Sequence, residues 1–542
     1  MKTLGLRDII GPIMIGPSSS HTAGALRIAY MARRLSLAEP KKVDFYLLGS
    51  FAHTLSGHGT DKALVAGMLG LETDDLRIRD SFALAEEAGL EFTFTPMPEE
   101  EFDHPNTVNI HMVDAAGNTM RIRGESIGGG AAVIRSIDGI EVYITGENTS
   151  IVIRQRDTAG VLAHIAKSIS DYGVNIATTR VYRERKGDMA YTILETDQAV
   201  CPEIKESIEE HPAIKDVRII PGDTKGGLEK DTSADAERAL AQFEALDFSN
   251  GSELLAYCEL KGISISDAFL AREQALTASF GVSGDIDGYL ERVLTTMKHS
   301  AYRPIEEVHS SMGGLIGGEA MKLATLDEAD RSLCDNQLSC AIAFSMAVLE
   351  TNASMGRIVA APTAGSAGVI PGVLLAMQQS KDFDDKALQK GLATAAAIGY
   401  LITRNATVSG AEGGCQAEIG SAAAMAAAAA TELMGGTPLQ CFNAAGNAIT
   451  NMMGLVCDPV AGLVEVPCQK RNASGAAAAL VSAQIALANI GNLVDFDQTV
   501  EAMRKVGRSL PFELRESALG GIAATPAACG YCASCTPDGS CA

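Results

Sequence analysis

Three cysteines carry the most chemistry in this sequence. Cys415, Cys457 and Cys468 each sit in a polar turn punctuated by Gly or Pro, in GAEGGCQAEIG, GLVCDPVAG and VEVPCQKRN, rather than on an apolar helix face. Thiolates in such turns suit an iron–sulfur cluster, which wants soft ligands on backbone that can donate N–H groups to sulfur. Three protein ligands on a four-iron cubane leave one iron open, a Lewis acid able to take a substrate hydroxyl. The bland alternative is three small buried hydrophobes, as free cysteine often is. A second group lies near the N-terminus: Ser18-Ser19-Ser20-His21-Thr22 opening a helix, His58 and Thr60 in SGHGTD, and His104 with Asn106 in HPNT. Consecutive N–H groups at a helix start bind anions such as carboxylates. Glycines on both sides of His58 leave its ring accessible, whereas the other six histidines read as structural or solvent-facing.

The elements that must position these residues divide by composition. The 542 residues amount to roughly three to four domains. Residues 1–147 mix Gly-rich polar turns with short β-rich runs (43–48, 107–113, 141–145) and predict an α/β domain. Residues 148–222 read strand, helix, strand, strand, helix, strand, a ferredoxin-like module. Residues 223–250 read as a linker. From 251 to 525 Ala, Leu and Met recur at helical spacing, and Ser264 with Asp267 makes an N-cap signal, so this part is expected to be all-α. Its small-residue run 421–436 predicts a central helix in close contact with its neighbours. Residues 526–542 lack periodicity and form a Cys-rich tail.

Composition excludes several function classes. Forty-four basic against 67 acidic residues give a net charge of −23, which repels phosphate backbones and anionic lipid. Trp is absent and aromatics are 5%, so base-stacking platforms are scarce. The uncharged segment 472–494 is long enough to span a bilayer but is built on Ala, Asn, Gln, Ser and Gly, and reads as a helix buried in protein. The N-terminus lacks a signal-peptide pattern, so a cytoplasmic location is expected and the twelve cysteines are not read as disulfides. The Gly-rich loops at 310–318 and 361–368 lack the Lys-Ser/Thr ending of a P-loop, and read as tight helix ends or walls around a small polar substrate.

Taken together, GPSSSHTAGALRIA, GHGTDKA, HPNT, GESIGGG, SSMGGLIGGEAMK, APTAGSAGVIPG, ATVSGAEGGCQAEIG and GLVCDPVAGLVEVPCQKRN resemble, in order, the signatures of the iron–sulfur-dependent L-serine dehydratases, in the single-chain form with β, ACT and α domains. The resemblance implies a lyase that converts L-serine to pyruvate and ammonia without pyridoxal phosphate. Cys415, Cys457 and Cys468 would hold a [4Fe–4S] cluster, His58 would act as base, and His21 and His104 would orient substrate or share proton transfer. Ser18, Ser19 and Ser20 would hold the carboxylate, with Thr60 and Asn106 as further substrate-binding candidates. It also implies that a tail cysteine reaches the open iron, for which Cys529, Cys532, Cys535 and Cys541 compete; a second metal site or a frayed end are the alternatives. The module at 148–222 looks like an ACT domain, with Asp157, Gly160 and Asn175 in an amino-acid effector pocket. A homodimer is the default assembly. A pyridoxal-phosphate dehydratase would need a Schiff-base lysine in a Ser-x-Lys-x-x-Gly-like context, and none is present. A non-catalytic amino-acid sensor with a structural cluster is the alternative from a different class.

Overall fold

The computed structural model describes residues 4–55, 57–146, 148–183, 185–196, 200–222, 234–279, 285–328 and 332–531. Twelve strands are described: β1 (Ile13–Ile15), β2 (Pro40–Leu48), β3 (Glu91–Met97), β4 (Asn106–Asp114), β5 (Thr119–Gly128), β6 (Ala131–Ile137), β7 (Ile140–Ile144), β8 (Thr149–Arg156), β9 (Ile176–Arg183), β10 (Met189–Thr196), β11 (Ile214–Ile220) and β12 (Arg357–Val359). Strands β2 to β7 form a six-stranded sheet in the order β3-β2-β4-β5-β6-β7. Only the β2–β3 pair is parallel (Phe45 opposite Phe94), because helices Thr60–Met68 and Ser81–Ala88 form a crossover between them. Helix Ala25–Leu35 buries Ala25, Ile28, Ala29, Ala32 and Leu35, an i, i+3, i+4, i+7 stripe. It crosses helix Thr60–Met68 so closely that a Cβ on Gly67 would lie 2.3 Å from the Leu26 carbonyl oxygen.

The next module has the expected strand–helix order, with four antiparallel strands arranged β11-β8-β10-β9. Helices Val161–Asp171 and Pro202–Glu209 cover one face through Ile165, Ile169, Ile204 and Ile208 on Ile151 and Ile153. The alternation of each strand sends Val152, Tyr191 and Ile193 to the opposite face, where they join the core of the six-stranded sheet.

The rest is helical. Helix Ser421–Leu433 is buried along its length from Ser421 to Thr431 and packs against helices Val369–Lys381, Asp385–Asn405, Pro438–Met452 and Cys468–Leu487. Its run of alanines lets four neighbours approach one axis, which larger side chains would hold apart. Ser264 Oγ accepts from Asp267 N at 3.1 Å, the expected cap. Much of the uncharged segment at 472–494 falls in helix Cys468–Leu487, and among the described residues no helix is long and apolar enough to cross a membrane.

Two features depart from the sequence reading. The stretch read as a linker carries helix Ala234–Leu246, whose Phe243 and Leu246 enter the helical core. Residues 4–15 leave the α/β region and run as a strap into that same core. Leu6, Ile9, Ile10 and Met14 are buried there, β1 pairs antiparallel with β12, and Tyr289 Oη donates to the Ile10 carbonyl at 2.6 Å. The buried Arg272 donates to the Leu4 carbonyl at 3.0 Å and is neutralised by Glu273 and Asp247, each at 2.6 Å.

Candidate active site

The strap delivers the chain directly into Pro17-Ser18-Ser19-Ser20. Ser18 is extended, and its hydroxyl accepts from His21 N at 3.1 Å, capping a wide turn that continues as helix Ala25–Leu35. His21 is clamped on both ring nitrogens, Nδ1 3.2 Å from Ser18 Oγ and Nε2 2.8 Å from Ser50 Oγ. Thr22 Oγ1 donates to the His58 carbonyl at 2.7 Å, which ties the second motif to the first. The His58 ring stands edge-on to that of His21, centroids 4.4 Å apart. His58 is fully buried, yet neither of its ring nitrogens has a hydrogen-bond partner.

On the helical side, Cys415, Cys457 and Cys468 are buried and converge. Each is fixed differently. Cys468 opens helix Cys468–Leu487, and Asn472, one turn on, donates to the Gly365 carbonyl and accepts from Gly368 N, pinning the 361–368 loop beside it. Cys457 is stitched by its backbone to the stretch at 514–516, donating to Leu514 O and accepting from Glu516 N, both at 2.9 Å. Arg471 places Nη1 3.6 Å from Cys415 Sγ and pairs with Asp458 at 2.8 Å. A hydrogen bond to Cys415 together with burial holds the Cys457 thiol well above its usual range; burial, then the charge on Cys415, does the same to Cys468. Three buried soft ligands that repel one another as thiolates fit a bound metal centre, which supplies the missing positive charge. Glu418 adds a carboxylate to Cys415 and Cys457, all three ligand atoms within 4.8 Å of one another.

These two halves face a single cavity of about 310 Å³. Ser18, Ser19, Ser20 and His58 line it from the α/β side; Cys415, Cys457 and Cys468 line it from the helical side. Thr363 completes the wall from the 361–368 loop, as the sequence led us to expect, together with Glu412 and Glu418 from the Cys415 motif and Glu516 from outside any motif. Thr363 Oγ1 donates to Glu418 at 2.7 Å, and burial pushes the Glu418 carboxyl up to about 7. Burial and then the charge of Glu418 push Glu516 up to about 8. Glu418 lies three residues after Cys415 in a motif already noted, so it could have been found; nothing in the sequence around Glu516 pointed to it.

The remaining candidates fall elsewhere. Thr60 and Asn106 are buried near these loops, each with an unpartnered side-chain oxygen, but neither lines the cavity. His104 is half-buried and accepts from Asn106 N through Nδ1 at 3.2 Å. Asp157 is held by Arg183 and by Gly187 N, Gly160 opens helix Val161–Asp171 at φ +96°, and Asn175 is exposed; all three belong to the four-stranded module. Cys529 is buried outside the cavity lining, and Cys532, Cys535 and Cys541 lie outside the described residues. The 310–318 loop is not a wall of the cavity. It wraps internal carboxylates, with Ser311, Gly313 and Leu315 donating to Glu465, and Gly318 and Ala320 donating to Glu350.

Burial lowers His58 from its ordinary 6.5 to about 4 and, together with His58 itself, lowers His21 well below the same value. Both imidazoles are therefore neutral near pH 7. In the unfolded chain they take a proton at about 6.5, so the stability their neutrality secures is full above that pH and is lost as the pH falls toward 4. For His58 alone this is about 2 kcal/mol between pH 7 and pH 5. Urea midpoints at the two pH values should converge in His58→Gln relative to the unsubstituted protein; an identical shift in both would contradict this account.

Comparison with known proteins fits this two-sided construction. The family model for the serine dehydratase beta chain matches residues 8–136, and that for the alpha chain matches residues 260–523. The L-serine dehydratase of Streptomyces coelicolor is 30% identical over 524 residues, 94% of this chain and 96% of that protein. A probable L-serine dehydratase alpha chain of Bacillus subtilis is 44% identical over 279 residues, 52% of this chain and 92% of that one. The L-serine dehydratase beta chain of Peptoniphilus asaccharolyticus is 39% identical over 201 residues, 37% of this chain and 90% of that one. The chain belongs to the L-serine dehydratase family, and it carries the beta-chain and alpha-chain parts in one polypeptide.

Proposed function

We propose that this protein dehydrates and deaminates L-serine to pyruvate and ammonia in the cavity between its two halves. The observation that carries the reading is that Cys415, Cys457, Cys468, His58 and Ser18–Ser20, drawn from both family regions, line one cavity. Cys415, Cys457 and Cys468 would hold a [4Fe–4S] cluster, which when bound supplies a Lewis-acid iron for the departing hydroxyl. The chain's own groups do the rest. The hydroxyls and amides at Ser18–Ser20 take the substrate carboxylate at a helix start, where N–H dipoles favour an anion. His58, neutral and unpartnered, accepts the Cα proton on a ring nitrogen, and its buried position keeps water from protonating it first. His21, clamped between Ser18 and Ser50, fixes the orientation of the His58 ring. Loss of the Cα proton and the β-hydroxyl forms a C=C bond; the enamine then tautomerises and hydrolyses to pyruvate and ammonia.

The four-stranded module is, on this reading, an ACT-type domain whose Asp157, Gly160 and Asn175 would meet an amino-acid effector, its strand–helix order being the support. We assign the active protein to the cytoplasm, as a homodimer, with the tail cysteines capping the cluster or holding a second metal. The test is anaerobic purification with iron and sulfide assays and pyruvate release from L-serine before and after air. About four irons per chain with air-sensitive turnover supports the open cluster; pyruvate from a colourless, iron-free protein sinks it.

A further inference from the structure

The substrate proposed above has three polar groups, and two have been given partners. The carboxylate meets Ser18–Ser20, and the hydroxyl is the leaving group. The third is the α-ammonium, a cation with three N–H donors and no acceptor. The cavity is lined by Asp8, Glu412, Glu418 and Glu516, and no lysine or arginine is among its lining residues. Glu516 is the best placed of the four. Its carboxylate and the ring nitrogens of His21 and His58 lie within 4.8 Å of one another, so it sits beside the group that would take the Cα proton. The ammonium is bonded to that same carbon. Glu418 is its neighbour: a Cβ on Gly410 would lie 2.6 Å from Glu418 Oε2 and 3.3 Å from Glu516 Oε2.

Two buried acids elsewhere in the helical part are already satisfied. Glu465 accepts from Ser311, Gly313 and Leu315, and Arg272 neutralises Glu273. Glu516 takes an amide from Ala411, and among the described residues no lysine or arginine pairs with it. A second observation marks the place as a ligand site: His58, fully buried in the same wall, has no partner at either ring nitrogen. A buried polar side chain left unpartnered is costly unless a ligand fills the space.

We propose that Glu516, seconded by Glu418, binds the α-ammonium of the substrate and makes the cavity selective for an amino acid over acids that lack the amine. The inference rests on the reading of this cavity as the site of L-serine turnover. The selectivity has an attractive and a repulsive part. An amino acid brings an ammonium whose N–H groups donate to Glu516 and whose charge favours its carboxylate form, whereas a simple carboxylic acid brings a negative charge and no such donor.

The test uses the anaerobically loaded full chain, Glu516→Gln, Glu516→Asp and Glu418→Gln, with L-alanine and propionate as inhibitors of serine turnover. These two share a carboxylate and a carbon skeleton and differ by the amine. Unsubstituted protein should bind L-alanine the more tightly. Glu516→Gln should cut that preference and raise KM for L-serine by about 30-fold, with a smaller effect on kcat, and Glu516→Asp should recover part of both. An unchanged alanine-to-propionate ratio in Glu516→Gln at full iron content overturns the proposal. So does a collapse of kcat at unchanged KM, which would make Glu516 a proton carrier. If Glu516→Gln fails to load iron, an unchanged ratio in both Glu516→Asp and Glu418→Gln overturns it. Unsubstituted protein without iron or turnover overturns the reading of the cavity and this inference with it.

Discussion

Replacing His58 by alanine lowers kcat for L-serine by about two to four orders of magnitude, the usual contribution of a positioned general base. Iron content should stay at the unsubstituted level, because the ring touches His21 and the cavity rather than the cysteines. The expectation rests on three properties no other histidine here combines. The ring faces the cavity, both nitrogens are free of partners, and burial holds its pKa down to about 4, so it is a neutral acceptor at physiological pH. His21 lacks the second property because Ser18 and Ser50 occupy both of its nitrogens. Steady-state kinetics on anaerobically loaded protein, with iron measured on the same sample, checks the prediction. Normal turnover in His58→Ala would move the base elsewhere.

Replacing Cys457 by serine removes one of the three cysteines that line the cavity among the described residues, and a serine oxygen is a poorer iron ligand than a thiolate. The bound iron should fall to less than half, and serine turnover by about 1000-fold or more, since without the Lewis acid hydroxide is a poor leaving group. The loss should extend to stability. A cluster bound at these turns would be coupled to folding, and the backbone of Cys457 holds the segment that carries Glu516. The control is Cys441→Ser. Cys441 is equally buried, with burial pushing its thiol well up, but it lies in helix Pro438–Met452 and does not line the cavity. Iron retained in Cys457→Ser and lost in Cys441→Ser would reverse the assignment.

What could be read from the sequence was local, and what could not was assembled at a distance. Each cysteine turn and the Ser18–His21 helix start were legible because Gly, Pro and capping residues are punctuation that acts within a few positions. The buried helix at 421–433 was legible from its small residues for the same reason. Glu516 was not, because its position in the cavity wall is set by backbone bonds to Cys457, 59 positions earlier, which no periodicity encodes. Of the two readings of the 310–318 loop, a tight helix end or a substrate wall, the first fits, since helix Glu319–Glu328 begins directly after it. Its amides serve an internal carboxylate, Glu465, 150 or more residues away. The strap at 4–15 carries apolar residues that fit an amphipathic element of the α/β region equally well. Its true partner is set by the Glu273 carboxylate that receives Leu6 N and by β12, both far along the chain.

That strap also decides what the covalent connection between the halves is for. Four apolar side chains from one end of the polypeptide, worth about 2 kcal/mol each as an upper figure, are buried in a core built from the other end. A break in the chain between 222 and 234 would therefore leave two pieces that cannot part until the helical core itself opens. The peptide link raises the local concentration of one piece around the other while they find each other; once the strap is in, it becomes redundant. Assembly of this enzyme is an event of folding rather than of docking, and its cavity forms where the strap at 4–15 has been taken into the helical core.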